Sequence, residues 1–352
     1  MDRPIVACVL AGGTGSRLYP ASRSDRPKQF LSFVGGRSLL ARTMDRTAFA
    51  DERYVLTRDS FAEAIHEHAP EAGVLVEPAG KDTGPALVYA AWRLRHRFEV
   101  EPVLVCLPSD HYVADDAVFS RRLERAAEIA VETDGLVTMG VEPTRPATGY
   151  GYISPAGDDG DTGTDSALSG GTETDDYAAI DRFTEKPRRE TATRLIESGA
   201  YWNAGIFAWT PSALLREAAE SPLAPLVDAL EEGNPDQGFE AIDAVSVDYA
   251  IMEQTADAYV TPLSVGWDDL GTWDAVGRVL DGNDGENEVV AGDVLSIDAA
   301  DNVVAAPDAH VSLLEVEELL VVAFDDRILV GPRGASQRIR TIVERLREHN
   351  AF

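Results

Sequence analysis

Two uninterrupted apolar runs, PIVACVL at residues 4–10 and PVLVCLP at 102–108, constrain this chain most. A short run of this kind, bounded by turn signals, reads as a strand buried in the middle of a sheet. Between and after them the pattern alternates. A helix is expected near 38–49, a strand at 53–57 (RYVLT), a helix at 60–68 and a short strand at 74–77 (VLVE). A helical run at 84–98 (GPALVYAAWRLRHRF) precedes the second apolar run, and a helix from 118 to 133 and a strand at 135–141 follow it. Such alternation implies an α/β protein with a Rossmann-like, mostly parallel sheet and helices on both faces.

The pattern breaks at 156–176, AGDDGDTGTDSALSGGTETDD, which reads as a solvated excursion rich in Gly, Ser, Thr and acid. Its aspartates lack the spacing and flanking helices of a calcium loop. Regular structure resumes with AAIDRFTEKP (178–187), a helix at 190–199, a strand YWNAGIFAW (201–209) and a helix SVDYAIME (246–253). After about 285 the texture changes to short β-runs separated by Asp, Asn, Pro and Gly, closed by the helix SQRIRTIVERL. This suggests two domains, 1–285 and a small β-rich domain with a terminal helix at 286–352. No repeat strict enough to announce a solenoid is visible.

Charge narrows the function. With 31 basic and 61 acidic residues the net charge is −30, so affinity for nucleic acid is excluded. No apolar run is long enough to span a bilayer, and the N-terminus lacks the layout of a secretion leader. Cys8 and Cys106 sit inside the two apolar runs, as expected of buried free thiols on neighbouring strands in a cytoplasmic protein. The acidic surplus suits a surface built for high salt, where screening relieves self-repulsion. Lysine occurs only at 28, 81 and 186, so those three positions draw attention.

Three motifs carry chemistry. LAGGTGSRLYP (10–20) puts Gly12, Gly13 and Gly15 on the first strand–helix connection, where backbone N–H groups can approach phosphates. It matches neither the dinucleotide fingerprint nor the P-loop. Arg17 and Lys28 supply two positive charges around it. LPSDHYV (107–113) places Asp110 at the carboxyl end of a central strand, and GWDDLGTW (266–273) supplies a second acid. Two such carboxylates with phosphate oxygens and water make the oxygen shell magnesium prefers. FTEKP (183–187) offers Glu185 and Lys186, which an extended backbone would point to opposite sides. His111 reads as a loop histidine as readily as a catalytic one. No nucleophile–base triad is visible, and no HExxH or CxxC spacing.

In order, LAGGTGSRLYP, RPKQF, EPAGKDTGPAL, LPSDHYV, TGYGYI, FTEKP, WNAGIFAW, SVDYAIME and GWDDLGTW resemble the sugar-phosphate nucleotidyltransferases, and more narrowly the mannose-1-phosphate guanylyltransferases. The likeness runs from residue 5 to about 280, and the tail is similar to that family's dimerisation region. On this resemblance, no counterpart of the additional isomerase domain of longer, bifunctional relatives is expected. The resemblance implies transfer of GMP from GTP to α-D-mannose 1-phosphate with Mg²⁺ as cofactor, in a homodimer. Another sugar 1-phosphate and nucleotide pair, such as glucose 1-phosphate, or a silent nucleotide-sugar-binding regulatory homologue, are the rival readings.

Carried over by motif, Leu10, Ala11, Gly12, Gly13, Gly15, Glu77, Thr83, Pro85 and Ser109 would bind the nucleotide, and Arg17 and Lys28 its triphosphate. Asp110 and Asp269 would hold the metal, with Asp268 the alternative by one residue. Gly149, Glu185 and Asn203 would meet the sugar, and Lys186 its phosphate. Asp82 and Gly84 depart from the family's usual Asn and Ala.

Overall fold

A computed structural model describes residues 3–33, 36–156, 177–280, 287–349 and 352. The chain begins β1 (Ile5–Leu10), α1 (Leu39–Arg46), β2 (Glu52–Thr57), α2 (Ala62–His68), β3 (Gly73–Val76), α3 (Thr83–Leu94) and β4 (Val103–Pro108). It continues with β5 (His111–Val113), α4 (Asp116–Thr133), β6 (Leu136–Val141), β7 (Tyr152–Pro155), β8 (Ala178–Thr184), α5 (Arg189–Glu197) and β9 (Tyr201–Trp209). Then come α6 (Pro211–Ala219), α7 (Ala224–Glu231), α8 (Pro235–Glu240), a π-helical turn (Asp248–Met252), β10 (Ala258–Pro262), β11 (Trp267–Asp269) and α9 (Trp273–Leu280). The tail is β12 (Glu288–Ile297), β13 (Val303–Leu314), β14 (Leu319–Phe324), β15 (Arg327–Pro332) and α10 (Ile339–Glu348). The acidic excursion lies, from 157 to 176, outside the described residues.

Packing divides the chain into two compact units. One comprises Met1–Gly12, Arg46–Pro108 and Ala114–Trp267; the other comprises Gly13–Asp45, Ser109–Val113 and Asp268–Phe352. This differs from a single cut at 285. The reason is a common core within the second unit: Leu18, Tyr19 and Leu31 from the segment after the glycine loop bury with Leu270, Trp273, Val303, Val322 and Ile339.

The first unit holds a nine-stranded sheet in the order β3-β2-β1-β4-β9-β6-β10-β8-β7. Strands β3, β2, β1 and β4 are parallel, as are β6 and β10. YWNAGIFAW enters antiparallel to both β4 and β6, and β8 and β7 close that side antiparallel, so the far half is mixed. Every residue of β1 from Val6 to Val9 and of β4 from Val103 to Leu107 is buried, which requires cover on both faces. Helix α3 packs with Val6, Cys8, Leu104 and Cys106; α4 touches β4, β6 and β9. Cys8 lies directly opposite Cys106, both free and buried. Burial, and then the neighbouring Cys8, push the Cys106 thiol well above the usual range.

In the second unit β12, β13 and β14 run parallel and β15 antiparallel. The tail's apolar runs fuse into strands longer than their sequence breaks suggest, with irregular register between Val289 and Asp293. Asparagines fifteen apart mark the turns. Asn302 donates from Nδ2 to Asn287 Oδ1 at 2.7 Å and accepts the Leu319 N–H at 2.8 Å. Among the described residues no helix is long and apolar enough to cross a membrane.

Candidate active site

The second unit gathers Arg17, Lys28, Asp110 and Asp269. Gly15 has φ +65°, and a Cβ there would collide with Lys28 Cβ. Only glycine accepts that backbone and lets the lysine stem pass. Lys28 is thereby buried, with Nζ 2.5 Å from Asp110 Oδ2 and 3.4 Å from Asp269 Oδ1. Asp110 immediately precedes β5 and Asp269 ends β11, and these two strands pair with each other. Arg17 donates to Gln337 Oε1 at 3.2 Å. A side chain on Gly271 would come 3.1 Å from Arg17 Nη2 and 3.0 Å from Asp269 Oδ1. Burial acts to raise the Asp269 carboxyl, but Lys28, then His111 and Arg17, outweigh it and hold it below the ordinary aspartate range. Asp268 turns instead to Arg278, 3.0 Å away. Ser109 is buried, its carbonyl accepting the Thr43 hydroxyl at 3.2 Å.

In the first unit Leu10 ends β1 and Ala11 is pinned on both sides. Its N–H donates to Leu56 O at 2.9 Å, and its carbonyl accepts the Thr57 hydroxyl at 3.0 Å. Gly12 O accepts Arg58 Nε at 2.5 Å, and a Cβ on Gly12 would stand 3.0 Å from Glu77 Oε1. Gly13, with which the second unit begins, has open space among the described residues where a Cβ would be. Glu77 is 8% exposed, and its Oε2 is buried with no hydrogen-bond partner among the described residues. Burial pushes this carboxyl up to about 7, against the partial relief of Arg58. Nearby, the Thr83 hydroxyl accepts the Val247 N–H at 3.0 Å, and Pro85 is buried in the first turn of α3. Gly84 is explained by contact: a Cβ there would meet Val245 O at 2.7 Å. Lys81 is spent on structure, donating to Ile242 O at 2.5 Å.

A second cluster in the same unit surrounds FTEKP. The expectation that Glu185 and Lys186 point apart is corrected. Lys186 adopts φ +46°, so the backbone is not extended there, and its ammonium pairs with Glu185. Burial acts to lower the Lys186 ammonium, while Glu185, then Asp248, outweigh it and leave it above its ordinary value. Asn203 donates to Asp248 Oδ1 at 2.8 Å and accepts from Thr138 Oγ1 at 2.9 Å. A side chain on Gly151 would strike Glu185 Oε2; Gly149 is exposed two residues earlier. Tyr150 packs edge-on to Trp202 and Trp267 beside it.

The structure thus joins Arg17, Lys28, Asp110 and Asp269 in one cluster, Gly12 and Glu77 in a second, and Glu185, Lys186 and Asn203 in a third. The sequence reading missed Arg58, Thr138, Asp248 and Gln337. Asp248 carried a signal, an acid inside the apolar stretch of SVDYAIME; the others stand in unremarkable contexts.

The fold is α/β, with acids and cations clustered in each unit. The chain belongs to the nucleotidyl transferase family, which it matches over residues 6–282, and residues 292–346 match the MannoseP isomerase/GMP-like beta-helix domain. It is 32% identical to the mannose-1-phosphate guanylyltransferase of Salmonella muenchen, over 98% of this chain and 74% of that protein. It is 35% identical to the xanthan biosynthesis protein XanB of Xanthomonas campestris pv. campestris (strain B100), over 97% and 73%. The solved structure described as a mannose-1-phosphate geranyltransferase from Thermus thermophilus superposes with TM-score 0.86 at 31% identity, covering 98% of this chain and 99% of that one.

Proposed function

We propose that this chain transfers GMP from GTP to α-D-mannose 1-phosphate, releasing pyrophosphate. The observation that carries this reading is the single buried ammonium of Lys28, shared by Asp110 and Asp269. Among the described residues no three or more His, Cys, Asp and Glu side chains group to enclose a metal. Two carboxylates completed by phosphate oxygens and water suit magnesium, which keeps few protein ligands. When bound there, Mg²⁺ would neutralise phosphate charge and polarise the α-phosphoryl group. Asp269, held ionised by its cations, suits a metal ligand, and Asp268 is taken by Arg278.

The residues do the remaining work by charge and position. The sugar phosphate is already an anionic nucleophile, so no strong base is needed. Arg17 and Lys28 offset the triphosphate's charge, and Lys186 offsets that of the incoming phosphate. Glu77 supports guanine: its orphaned oxygen can accept from the N1–H and N2–H donors that guanine carries and adenine lacks. We further infer a homodimer through the tail, cytoplasmic residence and a surface adapted to high salt.

A pyrophosphate-release assay over a panel of nucleotides crossed with sugar 1-phosphates tests the assignment. GTP with mannose 1-phosphate should give the highest kcat/KM. Preference for another pair, or no turnover with any, would overturn it.

A further inference from the structure

Asp248 lies in the π-helical turn Asp248–Met252, a local irregularity found frequently at functional sites. Its Oδ1 accepts one N–H of Asn203. The other end of that amide is full, because Asn203 Oδ1 accepts from the Thr138 hydroxyl at 2.9 Å and from the Gly205 N–H at 3.0 Å. An amide oxygen has two lone pairs and its nitrogen two hydrogens. The network therefore fixes which end of Asn203 is nitrogen and leaves one N–H for a ligand. Asn203 is 9% exposed, so that remaining donor is costly to leave unpaired.

The same turn reaches the neighbouring pair. Glu253, which follows it directly, accepts the Glu185 N–H at 2.9 Å. Lys186 next in sequence holds a left-handed backbone that a non-glycine residue adopts only when its surroundings impose it. One short turn thus ties down Asn203 on one side and the Glu185–Lys186 corner on the other.

We propose that Asp248 is the positioning residue of the sugar-phosphate subsite: it takes one N–H of Asn203 so that the other meets a sugar hydroxyl, and its charge steadies Lys186. This rests on reading Glu185, Lys186 and Asn203 as the mannose 1-phosphate side. The groups facing Asp248 are Glu185, Lys186 and Asn203, with Ser246 from its own segment. Burial, then Glu185, push its carboxyl up to about 7.

The test compares Asp248→Ala with Asp248→Asn, which keeps an acceptor for the Asn203 amide but cannot ionise. Asp248→Ala should raise KM for mannose 1-phosphate about tenfold or more while KM for GTP stays within about twofold. Asp248→Asn should stay within about threefold of wild type and lose an inflection near pH 7 in kcat/KM for the sugar phosphate. If Asp248→Ala fails to fold, Thr138→Val decides. It removes one of the two donors that hold the Asn203 oxygen, leaving the Gly205 N–H, and should raise the same KM by about threefold. Equal movement of both KM values, no movement, or an Asn variant as damaged as the Ala variant would overturn the proposal. Wild type that turns over another substrate pair counts against the functional reading instead.

Discussion

The site acids of the two units are treated in opposite ways. In the second unit Asp269 is surrounded by Lys28, His111 and Arg17, which hold it ionised below the ordinary range. In the first unit Glu77 and Asp248 are pushed up to about 7 because burial exceeds the relief from neighbouring charge. A carboxylate held down by cations is ready to trade an ammonium for a divalent metal. A carboxylate pushed up by burial gains most from hydrogen-bond donors, which bases and sugars carry. The first group suits charge neutralisation and the second suits recognition.

The largest effect should come from breaking the cation-held pair. Asp269→Asn and Asp110→Asn should each lower kcat on the order of a thousandfold with the fold retained. Asp268→Asn loses a partly exposed ion pair to Arg278 and should cost less than about tenfold. Reversal of that order, read by steady-state kinetics at saturating Mg²⁺, would exchange the roles of the two aspartates.

Glu77→Gln sharpens the other half. Loss of an ionisable acceptor facing guanine's donors should reduce kcat/KM for GTP about 10- to 100-fold and narrow its margin over ATP. Wild-type KM for GTP should fall as pH rises from 6 to 8, while the variant's stays flat. Stability moves the other way. A carboxyl raised from 4.5 to about 7 binds more protons folded than unfolded across that window, so its contribution falls as pH rises through it. The full shift corresponds to on the order of 3 kcal/mol, so in the free protein at pH 8 Glu77→Gln should melt higher than wild type. A lower melting temperature would mean that Glu77 is charged and paired in the free protein.

Lys186→Ala should raise KM for mannose 1-phosphate about tenfold and leave GTP nearly unchanged. Lys186→Arg should rescue it only in part, because a planar fork replaces a point charge. Equal loss for both substrates, measured by varying each at saturation of the other, would assign Lys186 to structure.

The parallel half of the sheet was legible because PIVACVL and PVLVCLP announce two-sided burial, and the register opposing Cys8 to Cys106 agrees with it. The antiparallel entry of YWNAGIFAW was not, since strand direction leaves no mark in apolar periodicity. The tail's long parallel strands were hidden by Pro and Asp within APDAH, which read as breaks between short β-runs. Glycine and charge singled out Gly15, Arg17 and Lys28, which the fold brings together with Asp110 and Asp269. The Glu185–Lys186 corner was misjudged because a left-handed lysine cannot be foreseen from residue type. Asp248 matters through a turn whose π geometry depends on tertiary packing.

The smallest change in rate should come from salt, and it should separate the molecule's surface charge from its sites. At −30 the molecule repels itself in dilute buffer, where the Debye length is about 30 Å at 0.01 M, and hardly at all near 1 M, where it is about 3 Å. Melting temperature should therefore climb by several degrees from millimolar to molar KCl. On the proposed roles, attraction of anionic substrates to Arg17, Lys28 and Lys186 would be screened by the same ions, though less at Lys28, which is buried. KM for both substrates should drift upward by a few-fold while kcat, set by close contacts, holds. Activity at fixed substrate should then peak where the gain in stability meets the loss in binding. A melting temperature that is flat or falls along the KCl series would remove the high-salt reading and leave the assignment of the acids standing.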